Sequence, residues 1–201
     1  MDEMEEMPGV LALENVSGLL SAKAGENYIS LHHALVDRGY KCGAIALNSD
    51  IFVPQSRPRV FVIAVRNTVS IPDGLCGKGP NWLHNRAAEE LGKQLDNWIW
   101  WQTNKPNTRT QHVSDILEPE AVFDKDDVLK LIPQRMLDEL NSKEYAIATG
   151  YRRTRGGKQQ LELRFDGIAG CLRTPAGGSS KQYVVIRKNG ENHARLLTVR
   201  E

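Results

Sequence analysis

The hydrophobic and polar positions of the first 66 residues form three short apolar runs around one amphipathic segment. The runs end at Glu14, Leu47 and Arg66, and the third is rich in β-branched residues, so we predict three strands. Residues 26–38 carry apolar side chains at helical spacing and stop at Gly39, which predicts a helix. The second and third runs are joined by a short connection, which predicts an antiparallel pair rather than a strictly parallel sheet.

A polar loop, residues 48–58, connects these two strands. Pro54 and Pro58 restrict its backbone, and Arg57 and Arg59 follow each other at i and i+2. On an extended segment such a pair points to one side and offers two planar sets of donors. The pair therefore favours an anionic or carbonyl-rich ligand, with a surface salt-bridge role as the alternative.

After Arg66 the pattern changes. Residues 67–80 are rich in proline and glycine, which predicts a boundary between two bodies. Residues 85–97 are helix-like and precede a tryptophan cluster at 98–101, for which core packing is favoured over base stacking. Residues 127–140 predict two helical pieces, the second opened by Pro133.

The C-terminal third contains a basic segment at residues 150–158, which its glycines predict to be a loop. A strand at 182–187 and a turn at 188–190 follow. The loop's cations suit phosphates or guanine edges, and a solvated hairpin tip is the alternative. The candidate DNA contacts here are Arg152, Arg153, Arg155 and Lys158.

Composition and charge narrow the class of protein. The chain has 201 residues and 40% hydrophobic content, enough for one or two domains. It contains no apolar run of membrane-spanning length and begins with an acidic segment, so we expect a cytoplasmic protein without membrane contact. Cys42, Cys76 and Cys171 lack metal-type spacing and fit reduced thiols, and no metal is expected.

Net charge is only +1, but its distribution is uneven. Residues 143–201 hold twelve lysines and arginines against five acidic residues, a net charge of +7, whereas the remainder holds fourteen against twenty, a net charge of −6. Such asymmetry is typical of a protein with one face that meets a polyanion.

Three motifs in order carry a family resemblance. They are Glu14-Asn15-Val16, Gln55-Ser56-Arg57-Pro58-Arg59 and Arg195-Leu196-Leu197-Thr198-Val199-Arg200-Glu201. Together they resemble the Glu-Asn-Val, Gln-x-Arg-x-Arg and RxLTPRE motifs of the DNA (cytosine-5) methyltransferases, with Val199 where proline is usual. Of these residues, Gln55, Arg195, Thr198, Arg200 and Glu201 are expected to be structural.

The resemblance implies an α/β fold: part of a Rossmann-like methyltransferase sheet that is S-adenosylmethionine-dependent and has an antiparallel strand pair, plus a smaller mixed target recognition domain. Residues 1–66 would be the C-terminal part of the catalytic domain and residues 67–194 the target recognition domain. Residues 195–201 would begin the segment that returns to the catalytic domain.

The resemblance also implies the chemistry. Glu14 would hold a proton at ring nitrogen 3 of a flipped cytosine, which requires a desolvated pocket. Arg59 and Arg57 would hold the base and order the glutamate, while Asn15 would brace the loop. Extruding the base costs a few kcal/mol, and phosphate contacts must offset that cost.

A second DNA-contacting region is implied between residues 165 and 180. It resembles the end of a target recognition domain, with Cys171-Leu172 in place of a Thr-Leu dyad. The glycines permit close backbone approach to DNA, although a plain turn competes with that interpretation. The residues expected to contact DNA here are Arg173, Gly177, Gly178, Ser179 and Ser180.

Two parts of the family pattern have no counterpart in this sequence. No cysteine follows a proline, so the Pro-Cys nucleophile is missing, and so is the glycine-rich turn that receives S-adenosylmethionine. We therefore expect a chain that is inactive alone and double-stranded DNA as a partner. The chain would be either a truncated part of a longer enzyme or one subunit of a split enzyme, in which a complementary N-terminal methyltransferase chain would bind most of the cofactor. An exposed sheet edge would allow self-association. The alternative is a non-catalytic module that binds DNA or a partner.

Overall fold

The computed structural model describes residues 6–172 and 181–201, which belong to two compact units. Unit 1 comprises the residues up to 48 together with 58–107, and unit 2 comprises 49–57 together with 108–201. The expected DNA contacts at 173–180 lie outside the described residues. Within the described ranges, no helix is both long and apolar enough to cross a bilayer.

Unit 1 is an antiparallel sheet flanked by helices. Among its described residues, three strands are arranged in the order β1-β3-β2, and β3 pairs antiparallel with both neighbours. This confirms the predicted antiparallel pair and the mixed α/β class. The elements are β1 (Val10–Asn15), α1 (Gly18–Ser21), α2 (Glu26–Val36), β2 (Tyr40–Asn48), β3 (Pro58–Arg66) and α3 (Arg86–Gly92), with a short 3₁₀ segment at Ala22–Gly25.

Both faces of the β2–β3 pair are covered by apolar side chains. Val60 and Val62 of β3 point to the same face, where they pack in a core with Tyr28 and Leu35 of α2. On the opposite face, Leu83, Ile99 and Trp101 are buried together with Ile45 of β2 and Val65 of β3. The core interpretation of the tryptophan cluster is therefore confirmed at Trp101.

The helix predicted over residues 85–97 is shorter than expected and ends at Gly92. A β-carbon at Gly92 would lie 2.5 Å from the Trp100 ring and 2.7 Å from the Trp98 ring, so the helix end fits closely against the tryptophan cluster. The boundary predicted after Arg66 also differs from the packing, which divides the chain after Asn107 because the tryptophans pack on the unit 1 sheet. Functional domain limits remain a prediction.

A buried polar contact lies beneath the sheet of unit 1. Nε2 of His32 bonds with the carbonyl oxygen of Asp96 (2.8 Å), and its Nδ1 lies 3.2 Å from Sγ of Cys42. Burial raises the pKa of the Cys42 thiol to about 11 and lowers the pKa of His32. Both groups therefore favour their neutral forms, and the contact is structural.

Unit 2 is built on a second antiparallel sheet. Its described strands are arranged in the order β5-β4-β6-β7, with a core that includes Leu140, Leu161 and Val185. Pro133 precedes the second of two helical pieces, as predicted. The elements are α4 (Gln134–Asn141), β4 (Ala146–Arg155), β5 (Lys158–Arg164), β6 (Gln182–Lys188) and β7 (Glu191–Leu196), with 3₁₀ segments at Ser49–Ile51, Val113–Asp115 and Asp126–Leu131.

The basic segment at 150–158 is not a loop, and that prediction was wrong. Residues 150–155 belong to β4, and only Gly156 and Gly157 form the turn to β5. Both glycines have positive φ (54° and 76°), the backbone that a two-residue hairpin turn requires. The alternating side chains of residues 149–155 suit a strand, and the glycines mark only its end.

Candidate functional site

Glu14 and Arg59 meet where β1 and β3 lie side by side. Glu14 is opposite Phe61 in the strand register, so Arg59, two residues before Phe61, lies on the same face of the sheet. Nε of Arg59 donates to Oε1 of Glu14 (3.0 Å), and Nη1 donates to the carbonyl oxygen of Pro58 (2.8 Å). Two residues 45 positions apart are thus held in one charge-assisted hydrogen bond.

The surroundings of this pair are more open than the resemblance implies. Arg59 is 19% exposed, but the Glu14 side chain is 52% exposed. The desolvated pocket expected around Glu14 is therefore not formed by the described residues of unit 1. The physical reason is that β1 is an edge strand there, paired with β3 on one side, and its Val10 and Leu13 are exposed.

Asn15 and Val16 complete the first motif. The Asn15 side chain accepts a hydrogen bond from the backbone N–H of Val16 (2.8 Å). An asparagine that bonds the next amide restricts the chain just after the strand. This contact fits the expected bracing role of Asn15, which remains a prediction.

The polar loop before Arg59 belongs to unit 2. Ser49 donates through its hydroxyl to the carbonyl oxygen of Gln55 (2.5 Å), and Gln55 forms an isolated parallel bridge with Ala169. Nη1 of Arg57 donates to Sγ of Cys171 (3.5 Å). Arg57 and Arg59 are thus assigned to different units, and a shared role for the two remains a prediction.

The four cations of the β4–β5 hairpin do not share one face. Arg153 and Arg155 are two residues apart and therefore lie on the same face of β4, where they donate hydrogen bonds to Glu162 of β5 at 3.3 and 2.8 Å respectively. The guanidinium of Arg152 lies instead on the other face, 5.9 Å from the ring centre of Tyr183. Lys158 is exposed beside the glycine turn, directly opposite Arg155 in the register.

The third motif, residues 195–201, contains a buried ion pair. Nη1 and Nη2 of Arg195 donate to Oε2 and Oε1 of Glu201, each at 2.6 Å, and the side chains are only 3% and 0% exposed. The backbone amides of Thr198 (2.9 Å) and Glu118 (2.5 Å) donate to the same carboxylate. Burial alone would raise the pKa of Glu201, but these donors outweigh it and lower the pKa to about 2.

The remaining residues of that motif are peripheral. The backbone amide of Arg200 donates to the hydroxyl of Thr198 (3.3 Å), and its exposed guanidinium lies 3.8 Å from Glu118. The motif therefore folds into a tight turn around Glu201, which is consistent with the expected structural role.

Sequence reasoning missed Glu162 and Tyr151. Both were overlooked because residues 150–158 were interpreted as a loop, in which neighbouring side chains have no defined face. The alternation Tyr151, Arg153, Arg155 is a period-2 signal, and it could have placed all three on one strand face.

Comparison with known proteins identifies the family. Residues 4–201 match the C-5 cytosine-specific DNA methylase family. Type II methyltransferase M.Eco47II of Escherichia coli is 28% identical over 96% of this chain and 44% of its own length, and orphan methyltransferase M.SPBetaI of Bacillus phage SPbeta is 24% identical over 98% and 46%. A crystal structure of the S. pombe Dnmt2 methyltransferase is similar over 70% of this chain and 36% of that protein, with 17% identity and a TM-score of 0.36. The chain spans less than half the length of the two curated relatives, and it belongs to the C-5 cytosine-specific DNA methylase family.

Proposed function

We propose that this chain supplies the base-holding and DNA-binding part of a DNA (cytosine-5) methyltransferase. The enzyme would transfer a methyl group from S-adenosylmethionine to carbon 5 of a cytosine flipped out of duplex DNA. The observation that carries the proposal is the Arg59–Glu14 contact at the ends of β1 and β3. The relatives are named type II and orphan methyltransferases, which favours a role in restriction-modification or related methylation.

The chemistry assigned to Glu14 follows from the charge that develops on the base. When a thiolate adds to carbon 6 of cytosine, negative charge accumulates toward ring nitrogen 3, and a carboxyl group that holds a proton there relieves it. Arg59 fixes the orientation of that carboxyl group through its Nε donor. Arg57 would help to hold the base, and Asn15 would restrict the backbone beside it.

We assign the DNA duplex to the basic C-terminal third. Residues 67–194 would form the target recognition domain, with residues 1–66 on the catalytic side and 195–201 leading back to it. Arg153, Arg155 and Lys158 are the best placed of the hairpin cations for phosphate, since they lie on one face of the hairpin. Arg152 would contribute from the opposite face.

The nucleophile and most of the cofactor site would lie outside this sequence, in the rest of a longer enzyme or in a complementary chain. None of the three cysteines follows a proline. Three cavities are lined by described residues: one of about 750 Å³ within residues 118–198, one of about 510 Å³ within residues 73–104 and one of about 250 Å³ within residues 112–167. None of these three includes Glu14, Asn15 or Arg59. Because none of these cavities includes a residue of the Glu14–Arg59 pair, we assign the binding of S-adenosylmethionine, which supplies the methyl group when bound, mainly to the missing half of the family pattern.

Reconstitution tests this proposal. The chain alone should not transfer labelled methyl groups to DNA, whereas a mixture with a fragment that carries the Pro-Cys motif and the glycine-rich turn should. In that mixture Glu14→Gln should lower the rate by about two to four orders of magnitude, the usual contribution of a positioned acid. Glu90→Gln is the matched control, because Glu90 also pairs with an arginine in unit 1 but lies on the exposed surface of α3.

Two outcomes would contradict the proposal. Turnover by the chain alone would refute the need for a complementary chain. A reconstituted enzyme that tolerates Glu14→Gln would refute the assigned acid. Stable binding of DNA without recovered activity in any mixture would instead favour a non-catalytic binding module.

A further inference from the structure

A carboxylate lies between the arginines of the β4–β5 hairpin. Glu162 is directly opposite Tyr151 in the register, and Oε1 accepts from Nε of Arg155 while Oε2 accepts from Nη1 of Arg153. Glu162 is 18% exposed, whereas Arg153 and Arg155 are 47% and 59% exposed. Two guanidinium groups with solvent-facing surface are therefore held around one enclosed acid.

The aromatic side chain of Tyr151 also contacts Glu162 and Arg153. The hydroxyl of Tyr151 donates to Oε2 of Glu162 (3.4 Å), and the Arg153 guanidinium lies 5.7 Å from the ring centre of Tyr151. The hydrogen bond from Arg155 lowers the pKa of Glu162, and the charges of both arginines act in the same direction against partial burial. Glu162 is thus an anion at neutral pH.

The hairpin has sources of stability other than this acid. Leu161 and Leu163 flank Glu162 and are buried in the core on the opposite face of β5. The strands are held together by a continuous ladder from Thr149 to Arg155. Ion pairs at partly exposed positions contribute little to stability, so this arrangement points to a role in binding.

We propose that Glu162 occupies, in the DNA-free protein, the anion position between Arg153 and Arg155 that a DNA phosphate takes over. The inference rests on the proposed function, since the competing anion is the DNA backbone. A phosphate uses the same guanidinium donors as a carboxylate, so it must compete with Glu162 for them. Glu162 also cancels one positive charge on this face, and it thereby restrains the affinity for DNA of any sequence.

The salt dependence of DNA binding tests the inference. The full chain and Glu162→Gln would be titrated with a mixed-sequence DNA duplex by fluorescence anisotropy, between about 0.05 and 0.2 M salt. Glu162→Gln should steepen the slope of log K against log salt by about 0.9 and tighten binding about eightfold at 0.1 M salt, the effect expected when one more uncompensated positive charge faces the DNA.

Two controls separate charge from structure. Glu162→Asp keeps the negative charge and should have a slope closer to the wild-type value than Glu162→Gln. Glu90→Gln releases the exposed Arg86 in unit 1 and should leave the slope unchanged. If glutamine disturbs the hairpin, Glu162→Thr removes the charge with a residue that favours strands.

The outcomes distinguish this inference from the proposed function. If the wild-type chain binds the duplex but the charge-removing variants keep its slope and affinity, Glu162 does not compete with phosphate and the inference is wrong. If the folded wild-type chain does not bind the duplex even at the lowest salt, the DNA-binding role itself is wrong.

Discussion

Replacing Glu201 by glutamine should destabilise unit 2. The substitution removes one charge of a buried pair and leaves Arg195 with an amide whose NH₂ group cannot accept its hydrogen bonds. Removing one partner of a buried ion pair costs about 3–5 kcal/mol. The lowered pKa of Glu201 gives a second value for this contribution to stability. A drop from 4.5 to about 2 corresponds to at most about 3 kcal/mol at neutral pH, and solvent screening reduces that figure.

The sign of the pH dependence follows from the lowered pKa. The folded state binds the Glu201 proton more weakly than the unfolded state, so this stability is present above pH 4.5 and is lost as pH falls toward 2. Wild-type unit 2 should therefore lose about 2 kcal/mol from this group between pH 5 and pH 3. Glu201→Gln should not show that loss.

Hydrogen exchange of peptides from β7, measured by mass spectrometry, would report the free energy of unfolding of unit 2. All four tryptophans lie between residues 82 and 101, so their fluorescence follows unit 1 during urea unfolding and serves as an internal control that should not change. A loss below about 1 kcal/mol at pH 7 would refute the reasoning, because it would fall short of the cost of breaking a buried pair. A difference between variant and wild type that stays constant from pH 5 to pH 3 would refute it as well.

Three further predictions concern unit 1. Gly43→Ala should destabilise unit 1 by about 3 kcal/mol or more in a urea titration, because the new β-carbon would overlap the backbone oxygen of Ile99. Gly79→Ala is the control: a β-carbon there would have no atom within 4 Å, so the free energy of unfolding should not change. Iodoacetamide should label exposed Cys76 in the native chain and reach Cys42, whose pKa is raised to about 11, only in denaturant; equal native rates measured by mass spectrometry would contradict the buried thiol. The exposed apolar residues of edge strand β1 should promote self-association that Leu13→Lys weakens, and a wild-type chain that sediments as a monomer at all concentrations would contradict this.

The sequence by itself predicted the local elements and the family. Strands at β1, β2 and β3, the helix that became α2, and the position of Pro133 all follow from periodicity and backbone restrictions, which act over a few residues. The three motifs were sufficient for the family because their order along the chain is preserved. The error at residues 150–158 was also local, because two glycines were given more weight than the period-2 alternation of Tyr151, Arg153 and Arg155.

Tertiary structure decided which of the predicted residues meet. Glu14 contacts Arg59 because β1 and β3 pair in one register, and a shift of one residue would turn Glu14 to the other face. Likewise, the contacts of Glu162 with Arg153 and Arg155 and the burial of Glu201 depend on neighbours brought together by the sheet of unit 2. Spacing along the chain gives the face of a side chain within its own strand, but strand register and packing determine what that face contacts, and these depend on residues far apart in the sequence.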